Sequence, residues 1–187
     1  MDKLNKMAKL DPTATLRQTN RAYIKANRQD WADLGFRSMT ALVHDDERAE
    51  ILAEIEVRKC VALVAMAENP KTPPDMLRIL SQRNMSPLPS GGDFVELLEL
   101  SKGTTAEDDI AKSVDIARNY VKRYRGIEAQ YNKVQDDDRK TTMAAKAVAY
   151  SAATSAHLKM ARVLLEKAPN RDQTIFGARG VVVEDEE

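Results

Sequence analysis

The residues with the clearest chemistry to offer are cations at helical spacing. Arg17, Arg21, Lys25 and Arg28 step by four, four and three, so a helix gathers them on one face. Arg118, Lys122 and Arg125 make a second row of the same kind, with Arg123 and Tyr120 close by. Rows like these can follow a phosphate backbone, with an affinity that falls as salt rises. Gln18, Asn20 and Asn27 add polar groups suited to phosphate or base edges. The plainer reading is a solvated helix face, and both readings stay open. The first row stands out because no acidic residue lies between Asp11 and Asp30.

Other chemistry finds less support. A catalytic base poised near neutral pH needs a histidine or an equivalent, and the chain holds two, His44 and His157. His157 falls on an apolar seam, as a packing histidine would, while His44 precedes Asp45-Asp46 at a helix start. Gly91-Gly92 is not followed by the Lys-Ser/Thr of a phosphate loop. One cysteine and two distant histidines cannot supply the usual four zinc ligands. Asp45-Asp46-Glu47, Glu107-Asp108-Asp109 and Asp136-Asp137-Asp138 offer oxygen ligands, yet each sits where a helix should begin, and acids are favoured there by the helix dipole. None has the spacing of a calcium loop. The expectation is a non-enzyme without metal or cofactor.

At 187 residues the chain can bury a real core in one domain or two small ones. Cys60, alone among Val61, Leu63 and Val64, reads as a buried thiol, and no intrachain disulfide can form. The opening Met1–Lys6 lacks the apolar core of a signal peptide, and no apolar run reaches the length of a membrane span. A soluble, cytoplasmic protein with no membrane partner is expected. Net charge is zero but unevenly placed. Residues 1–43 carry eight Lys/Arg against four Asp/Glu, residues 44–110 seven against fourteen, and residues 111–179 fourteen against seven. Basic ends around an acidic middle favour self-association or binding through one end.

The elements that must position these residues are helices. Asp11-Pro12 opens one that should run to about Asp33, anchored by Leu16, Ile24, Trp31 and Leu34, with Gly35 at its exit. A second should run from about Asp45 to Glu68 through Ile51, Leu52, Ile55, Cys60, Val64 and Met66. Asn69-Pro70-Lys71-Thr72-Pro73-Pro74-Asp75 then stops one helix and starts another, with Thr72 as its cap. That corner resembles the turns of variant leucine-rich repeat proteins, but it occurs once, and such folds need several stacked copies. Ser86–Gly92 reads as a linker. Asp93–Ser101 should be a short helix closed by Gly103, and Thr105-Ala106-Glu107-Asp108 a capping box variant.

Two long helices follow, Thr105 to about Gln135 and about Asp138 to Ala168. In the first, Ile110, Val114, Ala117, Val121 and Tyr124 alternate steps of four and three, and Ile127 and Tyr131 continue imperfectly because Glu128 holds the strict position. In the second, Met143, Ala147, Tyr150, Thr154, His157, Ala161 and Leu164 repeat the steps. Such a period keeps one seam facing a partner along helices of roughly 45 Å, at about 1.5 Å per residue. Seven alanines between Ala144 and Ala156 leave small residues on most faces of the second helix. One hairpin cannot cover them, so further copies of the chain, or its own N-terminal module, should. Ile110, Val114, Val121, Tyr124, Ala147, Tyr150 and Leu164 are the residues expected at an oligomer interface.

The expected fold is all-α: an N-terminal helical module over 1–85, a linker over 86–92, a short helix and long antiparallel hairpin over 93–168, and an acidic-ended tail over 169–187. Val181-Val182-Val183 would make that tail β or leave it disordered. The hairpin and its ending, Leu158–Lys167, Ile175-Phe176-Gly177 and Val181–Val183, resemble the layout of tailed-bacteriophage small terminase subunits. That resemblance covers about half the chain and has no diagnostic motif. The compact helix–turn–helix usual at that family's N-terminus has no counterpart here. The resemblance implies an oligomeric DNA-binding assembly protein, in the host cytoplasm if of phage origin, with duplex DNA, itself and another assembly protein as candidate partners. A helical adaptor or virion component without nucleic-acid binding is the alternative.

Overall fold

The computed structural model describes residues 12–38 and 40–171, with side chains described from Asn20 onward. Six helices carry the fold: α1 (Pro12–Asp33), α2 (Asp45–Glu68), α3 (Pro74–Ser81), α4 (Gly91–Ser101), α5 (Glu107–Tyr131) and α6 (Asp137–Lys167). Among the described residues there is no strand, only an isolated bridge between Thr104 and Asn170. The chain divides between Thr40 and Ala41 into two compact units.

The first unit is α1 and its exit turn. Gly35 takes the left-handed conformation (φ 85°) that glycine enters without a Cβ penalty. The Phe36 N–H then reaches back to the Trp31 carbonyl at 2.8 Å and the Gly35 N–H to Ala32 at 3.0 Å. Those two bonds satisfy carbonyls the helix end would leave open. Phe36 and Trp31 close the motif with an edge-to-face contact at 5.4 Å between centroids. Leu34 is buried, but Ile24, expected as an anchor, is 49 % exposed. The expected helix bounds agree with α1, and Leu16, another expected anchor, has a side chain outside the described residues.

The second unit is organised around α6. α5 packs on it most extensively, α2 and α3 cover much of the rest, and α4 lies mainly against α5. α5 and α6 pass each other in opposite directions, since the Thr105 N–H donates to the Pro169 carbonyl at 3.1 Å. Asp136 caps α6 by accepting from the Arg139 N–H at 2.6 Å. One cluster joins Phe94 and Leu97 of α4, Ile110, Val114 and Ala117 of α5, and Leu158 and Ala161 of α6. Further along α6, Ala145, Ala149 and Ala153 are wholly buried, and so are Ala53 of α2 and Leu80 of α3. Small side chains let neighbouring backbones approach closely, and this chain supplies the neighbours itself.

Several expectations need correction. The segment 86–92 is not a boundary between units: the Ser86 N–H bonds Ser151 of α6 at 3.3 Å, and Ser90 opens α4 through a complete capping box with Asp93. The module expected over 1–85 is split instead, because α2 and α3 pack on α6 and the division between units falls after Thr40. Thr72 does not cap α3. Its hydroxyl donates to the Met66 carbonyl at 2.6 Å and locks the corner after α2, while Pro73 takes the cap position. Thr105 does not cap α5 either. Ala106 stands there, and Glu107 turns back to accept from the Gly103 N–H at 3.0 Å. Leu52 and Ile55, two of the apolar residues along α2, are 50 % and 43 % exposed. Val181–Val183 lies outside the described residues.

Candidate nucleic-acid interface and the open seam

α1 is exposed along nearly all its described length, with Asn27, Trp31 and Ala32 half-buried. Arg21, Lys25 and Arg28 are all exposed and line an open groove with Ile24 and Gln29. Arg17 belongs to the same helix and register, and its side chain lies outside the described residues. The carboxylates of α1 stay near its end, where Asp33 is engaged by Gln29 at 2.7 Å. The face therefore presents positive charge without an acidic neighbour in the row, as phosphate contact requires.

The second row is weaker. Arg118 faces Asp115 at 3.5 Å and lies over the Phe94 ring at 5.5 Å. Arg125 pairs with Glu128 at 3.1 Å. Lys122 is exposed. Intrahelical carboxylates at three-residue spacing thus occupy two of these three cations, and a phosphate would have to compete with them. The two rows belong to different units, and each is taken on its own.

The residues expected at an oligomer interface separate into two groups. Ile110 and Val114 are 0 % exposed and Tyr150 is 6 % exposed, so a single chain already buries them and a second copy cannot reach them. For these three the interface assignment is corrected to core. Val121 and Leu164 are half-buried against the α4–α5–α6 cluster. Tyr124 and Ala147, also half-buried, line an open groove of about 450 Å³ with Met85, Ile127, Tyr131 and Ala144. Here the seam is unfinished. α6 offers alanines, and Glu128 stands where α5 would need an apolar residue. The Tyr124 hydroxyl donates to the Met85 sulfur at 3.7 Å across one side.

A polar and aromatic network was not legible in the sequence. Glu68, the last residue of α2, accepts from Arg123 of α5 and from the Tyr150 hydroxyl of α6, each at 2.7 Å. The Arg123 guanidinium lies 6.0 Å from both the Tyr120 and Tyr150 rings, and Tyr120 stacks at 6.0 Å on Tyr150 and on His157. Burial, then the bond to Glu68, pushes the Tyr150 phenol up to about 12, while burial pulls the His157 imidazole below its ordinary 6.5. Cys60 is buried, and its thiol is pushed up to about 12, chiefly by that burial. These groups are held in their neutral forms and tie three helices together. Glu68 and Tyr150 are 82 residues apart, so no local spacing announces the pair.

The acidic clusters open helices: Asp45–Glu47 lies in the first turn of α2, Glu107–Asp109 in that of α5, and Asp137-Asp138 in that of α6. Among the described residues no three His, Cys, Asp or Glu side chains converge as metal ligands. No helix among them is long and apolar enough to cross a membrane. Set against known protein families, curated proteins and solved structures, the chain matches none of them.

Proposed function

We propose that this chain is a non-catalytic assembly protein that binds duplex DNA through α1 and associates with copies of itself, in the manner of the small terminase subunits its layout resembles. The observation that carries the reading is the row Arg21, Lys25 and Arg28, exposed on one face of a helix none of whose described side chains is buried. A phosphate backbone suits that row because each contact releases counterions and needs no buried pocket. A mobility-shift titration at low salt tests it. The unmodified protein binds, and binding is lost when the row is changed to alanine. Absence of any shift by the unmodified protein removes the DNA reading.

Self-association belongs to this reading through the open seam around Tyr124 and Ala147, the part of the expected interface that the chain leaves uncovered. Ala147→Glu places a charge in that groove, and light scattering then reports a smaller species than the unmodified protein. The same groove favours a second reading, an adaptor whose seam receives a helix from a different protein. A monomer at micromolar concentration, with no shift of DNA, would put the adaptor first.

A further inference from the structure

The two lines of residues on α1 carry different chemistries. Arg21 and Lys25, four apart and in register with Arg17, are purely cationic. Beside them Asn20, Ile24 and Arg28, again four apart, offer an amide, a branched apolar group and a guanidinium. All five described side chains are exposed, and Ile24, 49 % exposed, lies between the two polar residues of its line. Asp30 and Asp33 are turned away from the line of Asn20, Ile24 and Arg28. An isoleucine in the middle of a solvated polar face has no purpose in holding phosphate.

Resting on the reading of α1 as a DNA-binding helix, we infer that α1 lies in the major groove and reads base edges through Asn20, Ile24 and Arg28, while Arg21 and Lys25 hold the adjoining phosphates. The dimensions agree: a helix about 10–12 Å across enters a groove about 12 Å wide. Asn20 to Arg28 spans about 12 Å at about 1.5 Å per residue, which is three to four base pairs at about 3.4 Å each. The chemistries agree as well. An amide pairs with the adenine edge, a branched apolar group meets the thymine methyl, and a guanidinium pairs with guanine. The ligand is then a duplex with a preferred short core, and not any polyanion.

Selection of the full-length protein against a pool of randomised duplexes tests this. The recovered molecules share a core of about three to four base pairs that includes an A·T pair. Asn20→Ala, with unchanged far-ultraviolet circular dichroism, loses preference at one base pair by roughly tenfold or more and keeps the salt dependence of the parent. Arg21→Ala with Lys25→Ala does the reverse: it weakens binding to every duplex and flattens the salt dependence. A pool bound without enrichment overturns the base-reading inference and leaves the phosphate-binding function standing. No binding to any duplex overturns both. Tighter binding to phosphatidylglycerol vesicles than to the pool also overturns it, since the exposed Ile24 would then be a membrane contact.

Discussion

α1 and α6 are both long helices rich in charge and alanine, yet α6 is closely packed while the described side chains of α1 are exposed or half-buried. Thirteen residues of α6 are buried, including Ser151, Thr154 and His157, so even its polar positions are enclosed. No described residue of α1 is buried; among the described residues of its unit the buried side chain is Leu34, just beyond its end. α6 is therefore held by packing, and α1 by helix propensity and its glycine-closed exit. A side chain on α6 is constrained by what surrounds it, while the described side chains of α1 are mostly left to solvent. That contrast is why the functional reading rests on α1 and the stability argument on α6.

Stability measurements can break the contrast, and the largest effect should come from the core. Ile110→Ala, at a position with 0 % exposure against α6, should cost about 2–5 kcal/mol in urea unfolding. Ile24→Ala on α1 should stay within about 0.5 kcal/mol, as for surface positions generally. Equal losses at the two sites would mean that α1 is packed after all. Gly35→Ala comes next: at φ 85° an added Cβ should cost about 1–2 kcal/mol, felt as fraying of the α1 end in hydrogen exchange. Tyr150→Phe removes the hydroxyl from Glu68 and should cost about 1 kcal/mol.

The network on α6 also sharpens the contrast through pH. The Tyr150 phenol is raised in the folded chain, so its contribution is complete below its ordinary 10 and is lost as pH climbs toward about 12. Tyr150→Phe should lack that part of the alkaline loss. His157 is the opposite case. Its folded value is lowered, so the unfolded chain binds the proton first, and stability present above about pH 6.5 declines as pH falls below it. His157→Phe should flatten this acid limb, the smallest of these effects, and an unchanged limb would place the titration elsewhere.

Much of the fold was legible because its signals are local. Pro12 and Gly35 bracket α1, Asp45 and Asn69-Pro70 bracket α2, and the four-three seam marks the buried face of α5 through Ile110, Val114 and Ala117. The errors at the expected oligomer interface share one cause. Which element covers the alanines of α6 depends on residues far apart in sequence, so a face ready for close packing looked the same whether a second copy or α2 and α3 filled it. Ile110, Val114 and Tyr150 were therefore assigned to an oligomer although they belong to the core. Among the candidate sites, the α1 row could be read from spacing alone. The partial neutralisation of Arg118 and Arg125 depended on which carboxylates their side chains reach, which spacing leaves undecided.

If duplex DNA is held by α1, as proposed, and not by the basic row of α5, the salt dependence of binding separates the two. Binding of one duplex is titrated across a series of salt concentrations for three proteins: the unmodified chain, a variant with Arg21, Lys25 and Arg28 changed to alanine, and one with Arg118, Lys122 and Arg125 changed to alanine. Each lost phosphate contact should lower the slope of log affinity against log salt by about 0.9. The α1 variant should therefore lose about 2 from that slope, from Arg21 and Lys25, and the α5 variant less than about 1, because Arg118 and Arg125 already face Asp115 and Glu128. A full loss of slope in the α5 variant, with the α1 variant unchanged, would contradict the account.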